Sequence, residues 1–136
     1  MTTPPRVLFV CVKNGGKSQM AAGLMNSIAG DTVPVHSGGT KPGSALNDLS
    51  VQSLAELGID ISHGSPKPVT QADLDAADMV ITLGREATVD VPEGTQFENW
   101  DTDEPSERGI EGIERMRLVR DDIKQRVEDL HTRLAP

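Results

Sequence analysis

The segment from Val7 to Gly30 constrains this chain more than any other. Val7-Leu8-Phe9-Val10 is an unbroken apolar run, and Cys11-Val12-Lys13-Asn14-Gly15-Gly16-Lys17-Ser18 is a short loop carrying two glycines. From Ser18 the pattern changes, because Met20, Leu24 and Ile28 recur every fourth residue with Ala21 and Met25 beside them. A continuous apolar run suits a strand covered on both faces, as in a parallel sheet, and the four-residue recurrence is a helix stripe. The helix is expected to stop at Gly30-Asp31.

The same alternation continues. Val33–His36 is short and β-branched and reads as a second strand. Thr40–Ser44 is a loop, and Asn47 or Asp48 can cap a helix carrying Leu49, Val51, Leu54 and Leu57, stopped at Gly58. Ile59–Val69, with Gly64, Pro66 and Pro68, reads as loop. Thr70 followed by Asp73 resembles a capping box, with Asp in place of Glu, before a short helix. Met79–Leu83 is a third buried strand and Phe97–Trp100 a weaker fourth. Ile110, Ile113, Met116, Val119, Ile123, Val127, Leu130 and Leu134 step by three or four, which predicts a long terminal helix with its Arg and Glu residues on the wet face. Strands alternating with helices over 136 residues imply one α/β domain, residues 1–136, with a parallel sheet.

Composition narrows the function. The net charge of −8 argues against a nucleic-acid partner, which needs a basic footprint, yet leaves room for a local anion site. The single cysteine, Cys11, forms no internal disulfide, and His36, His63 and His131 have no metal-ligand spacing, so no metal is expected. No apolar run approaches the ~20 residues of a membrane span, and Met1–Arg6 lacks a signal-peptide pattern, so no membrane partner and a cytoplasmic location are expected.

The chemistry lies in the loop. A strand end leading into a helix N-terminus offers outward-pointing amides and partial positive charge, and adjacent glycines let the amides converge on an oxyanion. One reading is a nucleotide-binding loop, since Gly16-Lys17-Ser18 matches its tail, but position 11 is Cys where that motif has Gly. The other reading makes Cys11 a nucleophile, with Lys17 as a cation and the Ser18 hydroxyl as a donor to sulfur. The bland alternative, a small core residue closing a strand, leaves Gly15, Gly16, Lys17 and Ser18 unexplained.

Cys-x5-Lys-Ser after Val-Leu-Phe-Val resembles the Cys-x5-Arg-Ser loop of the low-molecular-weight tyrosine phosphatases and the arsenate reductases that share their fold. His36–Thr40 resembles the family's second-strand exit. Gly58–Ser62, Ser65 and Lys67-Pro68-Val69 look like its arsenate-reductase branch. Asp78–Leu83, Trp100 with Asp103-Glu104-Pro105, and Arg115–Ile123 resemble its third strand, acid loop and last helix. The resemblance implies a four-stranded parallel sheet, order 2-1-3-4, with helices on both faces. It implies Cys11 as the thiolate, Val12, Lys13, Asn14, Gly15, Gly16, Lys17 and Ser18 as the oxyanion cradle, Asn14 as its brace, and Asp103 or Glu104 as the general acid.

Departures sharpen the expectation. Lys17 stands where the family has Arg, and Lys is a point charge instead of a planar fork. The thioredoxin-coupled branch carries two more cysteines, at positions matching about Gly84 and Val91. The aryl-phosphatase branch has aromatic side chains where this chain has Val12-Lys13 and Ser106-Glu107. The resemblance therefore implies an arsenate-mycothiol transferase, which binds no cofactor, takes mycothiol as co-substrate and hands its product to a glutaredoxin-like mycoredoxin. Glutathione is the second choice of thiol. A tyrosine phosphatase and a non-catalytic oxyanion sensor are the alternatives. Lys13 and Arg85 could meet a carboxylate of the thiol, although solvated surface charge is the simpler reading.

Overall fold

In the computed structural model, which describes residues 5–134, the elements run β1 (Val7–Cys11), α1 (Lys17–Ala29), β2 (Val35–Gly39), α2 (Asp48–Ala55), α3 (Gln71–Ala76), β3 (Met79–Leu83), β4 (Gln96–Trp100) and α4 (Gly112–Leu134). All strands are parallel in the order β2-β1-β3-β4, with β1 at the centre beside β3. The expected α/β architecture and strand order are the observed ones. Of the N-terminal reading, residues 1–4 lie outside the described residues. Among the described residues no helix is long and apolar enough to cross a membrane.

The unbroken apolar run of β1 divides by alternation. Val7, Phe9 and Cys11 face the larger core, built with Met20 and Leu24 of α1, Leu54 of α2, and Ile123, Val127 and Leu130 of α4. Leu8 and Val10 face a smaller one with Val80 of β3, Leu74 of α3 and Ala87. Helices thus cover both faces. Burying each large aliphatic side chain contributes about 1.5–3 kcal/mol, so the α4 stripe anchors the long helix firmly. Phe9 packs against Trp100 with ring centroids 5.7 Å apart, tying β1 to β4.

Local signals fall largely where the sequence puts them. Asn47, not Asp48, caps α2, its side chain accepting from the Ser50 amide. The Thr70–Asp73 capping box opens α3 in both directions. Three boundaries differ. α2 ends at Ala55, and the chain turns before Gly58, which takes the left-handed conformation at φ 78°. The second strand begins two residues later than expected and runs to Gly39. Its last residues are glycines for a steric reason. A Cβ at Gly39 would stand 2.7 Å from the Val12 carbonyl oxygen, and one at Gly38 would stand 2.9 Å from Val69. Propensity alone does not show that close backbone approach. The expected helix stripe also overreaches at Ile110, which precedes α4 and whose amide bonds the Pro105 carbonyl.

Candidate active site

The loop between β1 and α1 turns its carbonyls outward. Those of Cys11, Val12, Lys13 and Gly15 accept the amides of Thr40, Lys41, Gly43 and Asn47, so the segment after β2 holds the loop from outside. Among the described residues, the amides of Lys13, Gly15 and Gly16 meet no protein acceptor. The Asn14 amide points back at Cys11 Sγ, 3.2 Å away. Gly16 begins α1 without any side-chain cap, leaving the first-turn amides of the helix unused. With carbonyls engaged and amides left over, the loop presents donors and the positive end of a helix toward one place. Gly15 suits the packing, because a Cβ there would lie 3.0 Å from the Ala45 carbonyl oxygen, a contact tight enough that the neighbour would have to give.

Asn14 holds this shape. It is fully buried and sits at φ 52°, a left-handed conformation that Asn tolerates better than most residues. Its Oδ1 accepts the Lys67 amide at 3.0 Å and Gln19 Nε2 at 3.1 Å. A backbone N–H can only donate, so the amide orientation is settled and Nδ2 is left to donate to Ser18 Oγ, at 2.7 Å. Ser18 Oγ in turn lies 2.9 Å from Cys11 Sγ, and with the sulfur ionised the hydroxyl donates to it. The chain Asn14 to Ser18 to Cys11 therefore runs in one direction and ends on the Cys11 sulfur. Cys11 is 8 % exposed, with its sulfur between two donors at the floor of a cleft of about 900 Å³.

The walls carry charge. Lys17 Nζ binds Glu104 Oε1 at 2.5 Å, and Arg115 of α4 binds Glu104 Oε2 at 3.1 Å. Partial burial pushes the Glu104 carboxyl up, but the hydrogen bonds from Lys17 and Arg115 outweigh it and hold it below its usual value. Asp103 turns away from the loop. Both its oxygens are taken by Arg108, at 2.8 and 3.1 Å, and that guanidinium holds its carboxyl below the usual range. Its amide is pinned by Asp122 of α4 at 2.8 Å. The two candidate acids are thus separated: Glu104 touches the loop cation and Asp103 faces a rim arginine, although both line the cleft.

Val12, Lys13, Gly16 and Lys17 line the cleft with Cys11, while Asn14, Gly15 and Ser18 support it from behind. Gly84 also lines it, at φ 90°, where a Cβ would lie 3.9 Å from Lys17 Nζ. Val91 instead packs on the smaller core. Arg85 is an exposed rim residue paired with Asp101 at 3.0 Å, and Lys13 is exposed. The cleft lining contains no aromatic residue. The wet-face reading of the terminal helix needs correction. Arg120 is 8 % exposed and bonds the Ser53 carbonyl and Glu56, and Arg115 reaches the cleft. Arg115 is the site residue that periodicity missed. The signal for it was its place beside Met116, at the edge of the apolar stripe.

The geometry has counterparts. The family model described as low molecular weight phosphotyrosine protein phosphatase matches residues 6–136. A putative arsenate reductase of Halobacterium salinarum is 32% identical over 133 residues, covering 94% of this chain and 92% of that one. The structure of a thioredoxin-dependent arsenate reductase from Corynebacterium glutamicum aligns with TM-score 0.82 and 33% identity, over 96% of this chain and 61% of that one. A structure described as an arsenate reductase in the phosphate binding state aligns with TM-score 0.81 and 32% identity, over 96% of this chain and 99% of that one.

Proposed function

We propose that this chain, which belongs to the low molecular weight phosphotyrosine protein phosphatase family, is an arsenate reductase that works by transferring arsenate to a small soluble thiol. The observation that carries the reading is a lone thiol, Cys11, held by the Asn14 amide and the Ser18 hydroxyl inside an anion-shaped loop. The thiolate of Cys11 attacks arsenic and one oxygen leaves as water. A soluble thiol then replaces Cys11 on arsenic, still As(V), and Cys11 is regenerated. A second thiol, on a glutaredoxin-like mycoredoxin, attacks the sulfur of that adduct. The two sulfurs join and the electron pair goes to arsenic, which departs as As(III).

In this sequence of steps Lys17 exchanges Glu104 for the oxyanion. Glu104, partly buried and then relieved of a cation, can carry the proton that the departing oxygen needs. Asp103, held at both oxygens by Arg108, is the weaker candidate for that role. Mycothiol is the favoured thiol. Glu86 and Glu107 line the cleft without joining an ion pair among the described residues, and they disfavour the two carboxylates of glutathione more than an uncharged sugar thiol. Such chemistry belongs to a reducing compartment, which fits a cytoplasmic location. A tyrosine phosphatase would need aromatic walls that the cleft lining lacks.

The test is arsenate-dependent NADPH oxidation with three reducing systems: mycothiol with mycoredoxin, glutathione with glutaredoxin, and thioredoxin with its reductase. Turnover is expected with the first and not with thioredoxin alone, because Gly84 and Val91 provide no sulfur with which Cys11 could form a disulfide. Sustained turnover with thioredoxin and no small thiol refutes the thiol-transfer reading. Binding of arsenate with no turnover in any system would make the chain a sensor.

A further inference from the structure

Resting on that reading, we infer that Arg115 is a second oxyanion-binding cation of this site, supplying from α4 the guanidinium that the loop lacks at Lys17. Three observations converge. Lys17 and Arg115 grip opposite oxygens of one carboxylate, Glu104, so the two cations already meet on a single small anion. Arg115 lines the same cleft as Cys11 and Lys17. Its Nε is buried and has no hydrogen-bond partner.

The third observation is the most informative. A guanidinium has five N–H groups, and an unpaired buried donor is costly, so native structures rarely retain one without a ligand to meet it. Among the described residues, two buried side-chain polar atoms have no partner, Arg115 Nε and Thr102 Oγ1, and both residues line this cleft. A carboxylate gives Arg115 one bond, through Nη2. A tetrahedral oxyanion has more acceptor oxygens and can take Nε–H and Nη–H together, which is the paired grip that Arg provides and Lys cannot. The point charge of Lys17 in the loop is therefore complemented across the cleft by a planar fork. Glu104 holds the place of the anion until substrate arrives, and the incoming oxyanion competes with it for the two cations.

The experiment is calorimetric titration of arsenate and of phosphate into the full chain, comparing wild type, Arg115→Ala, Arg115→Lys, Glu104→Gln and Glu104→Gln/Arg115→Ala. Glu104→Gln removes the internal anion and should tighten oxyanion binding. On that background Arg115→Ala should weaken it about tenfold or more, the scale of one charge-assisted hydrogen bond. Arg115→Lys should recover part of the loss. If Arg115 acts only by pairing Glu104, Arg115→Ala costs nothing once Glu104 is Gln, and the inference fails while the functional reading stands. A wild-type chain that binds neither anion overturns both. Circular-dichroism melting of each variant confirms that the fold is retained, and Arg115→Lys carries the comparison if the alanine variant does not fold.

Discussion

Replacing Asn14 gives the most direct measure of how the loop is held. In Asn14→Ala the Lys67 amide loses its acceptor, while Gln19 Nε2 keeps the carbonyls of Asn14 and Ser65. One orphaned, part-buried donor costs up to about 1–3 kcal/mol. Alanine must also adopt φ 52°, adding about 1 kcal/mol. The expected loss is therefore about 2–4 kcal/mol. At roughly 3–5 °C per kcal/mol for a chain of this size, the melting temperature should fall by on the order of 10 °C. Asn14→Gly loses the same hydrogen bonds without the backbone strain and should melt above the alanine variant. Asn14→Asp separates stability from chemistry. Its carboxylate still accepts the Lys67 amide, but its other oxygen takes the Ser18 hydroxyl proton away from Cys11 Sγ and adds negative charge beside the cradle. That variant should fold, react more slowly with iodoacetamide at Cys11, and bind arsenate more weakly. Thermal melting by circular dichroism and the alkylation rate read the two effects. An alanine variant that melts with wild type, or an aspartate variant alkylated at the wild-type rate, would refute the brace.

Two further outcomes follow from ion pairs in the structure. Lys17→Arg should keep arsenate binding in calorimetry and Lys17→Ala should weaken it. Neither should hydrolyse an aryl phosphate in a chromogenic assay, because no aromatic residue lines the cleft. Glu56 is held down to about 2 by its hydrogen bond with Arg117, with a further bond from Arg120 and against the effect of burial. Its folded-state value lies below the ordinary 4.5, so the stability it contributes is complete above that pH and is lost as pH falls toward 2. Urea unfolding between pH 7 and 2 should show a steeper loss for wild type than for Glu56→Gln in that window, and parallel curves would dismiss the pair as a stabilising contact.

The parts of this molecule legible in the sequence share one property: their meaning is carried by consecutive residues. β1 and β3 announce themselves because strands buried on both faces need no alternation. The loop is legible because its thiol, amides, brace and cation lie within Cys11–Ser18. β2 is displaced in the reading because Ser37, Gly38 and Gly39 are poor strand formers, and what selects the two glycines is the closeness of Val12 and Val69. The sequence leaves the choice between Asp103 and Glu104 open for a related reason: it turns on how the chain after β4 is placed, and there the Asp103 amide donates to Asp122 of α4, a contact across 19 residues.

Arg115 shows where a helical pattern can be made to say more. A residue next to a buried helical position stands at the border of the apolar stripe, and its side chain can run along the core before ending in a polar group. Arg115 precedes buried Met116 and Arg120 follows buried Val119, and both are drawn inward, one to the cleft and one to the Ser53 carbonyl and Glu56. Arg117 also follows a buried position, yet it remains exposed and pairs with the same Glu56 from outside. Position on the stripe therefore nominates border arginines, and the nearest carboxylate within reach selects among them. Glu104 is that carboxylate for Arg115, and because Lys17 already holds its other oxygen, the second cation there supplies the fork that Lys17 alone lacks.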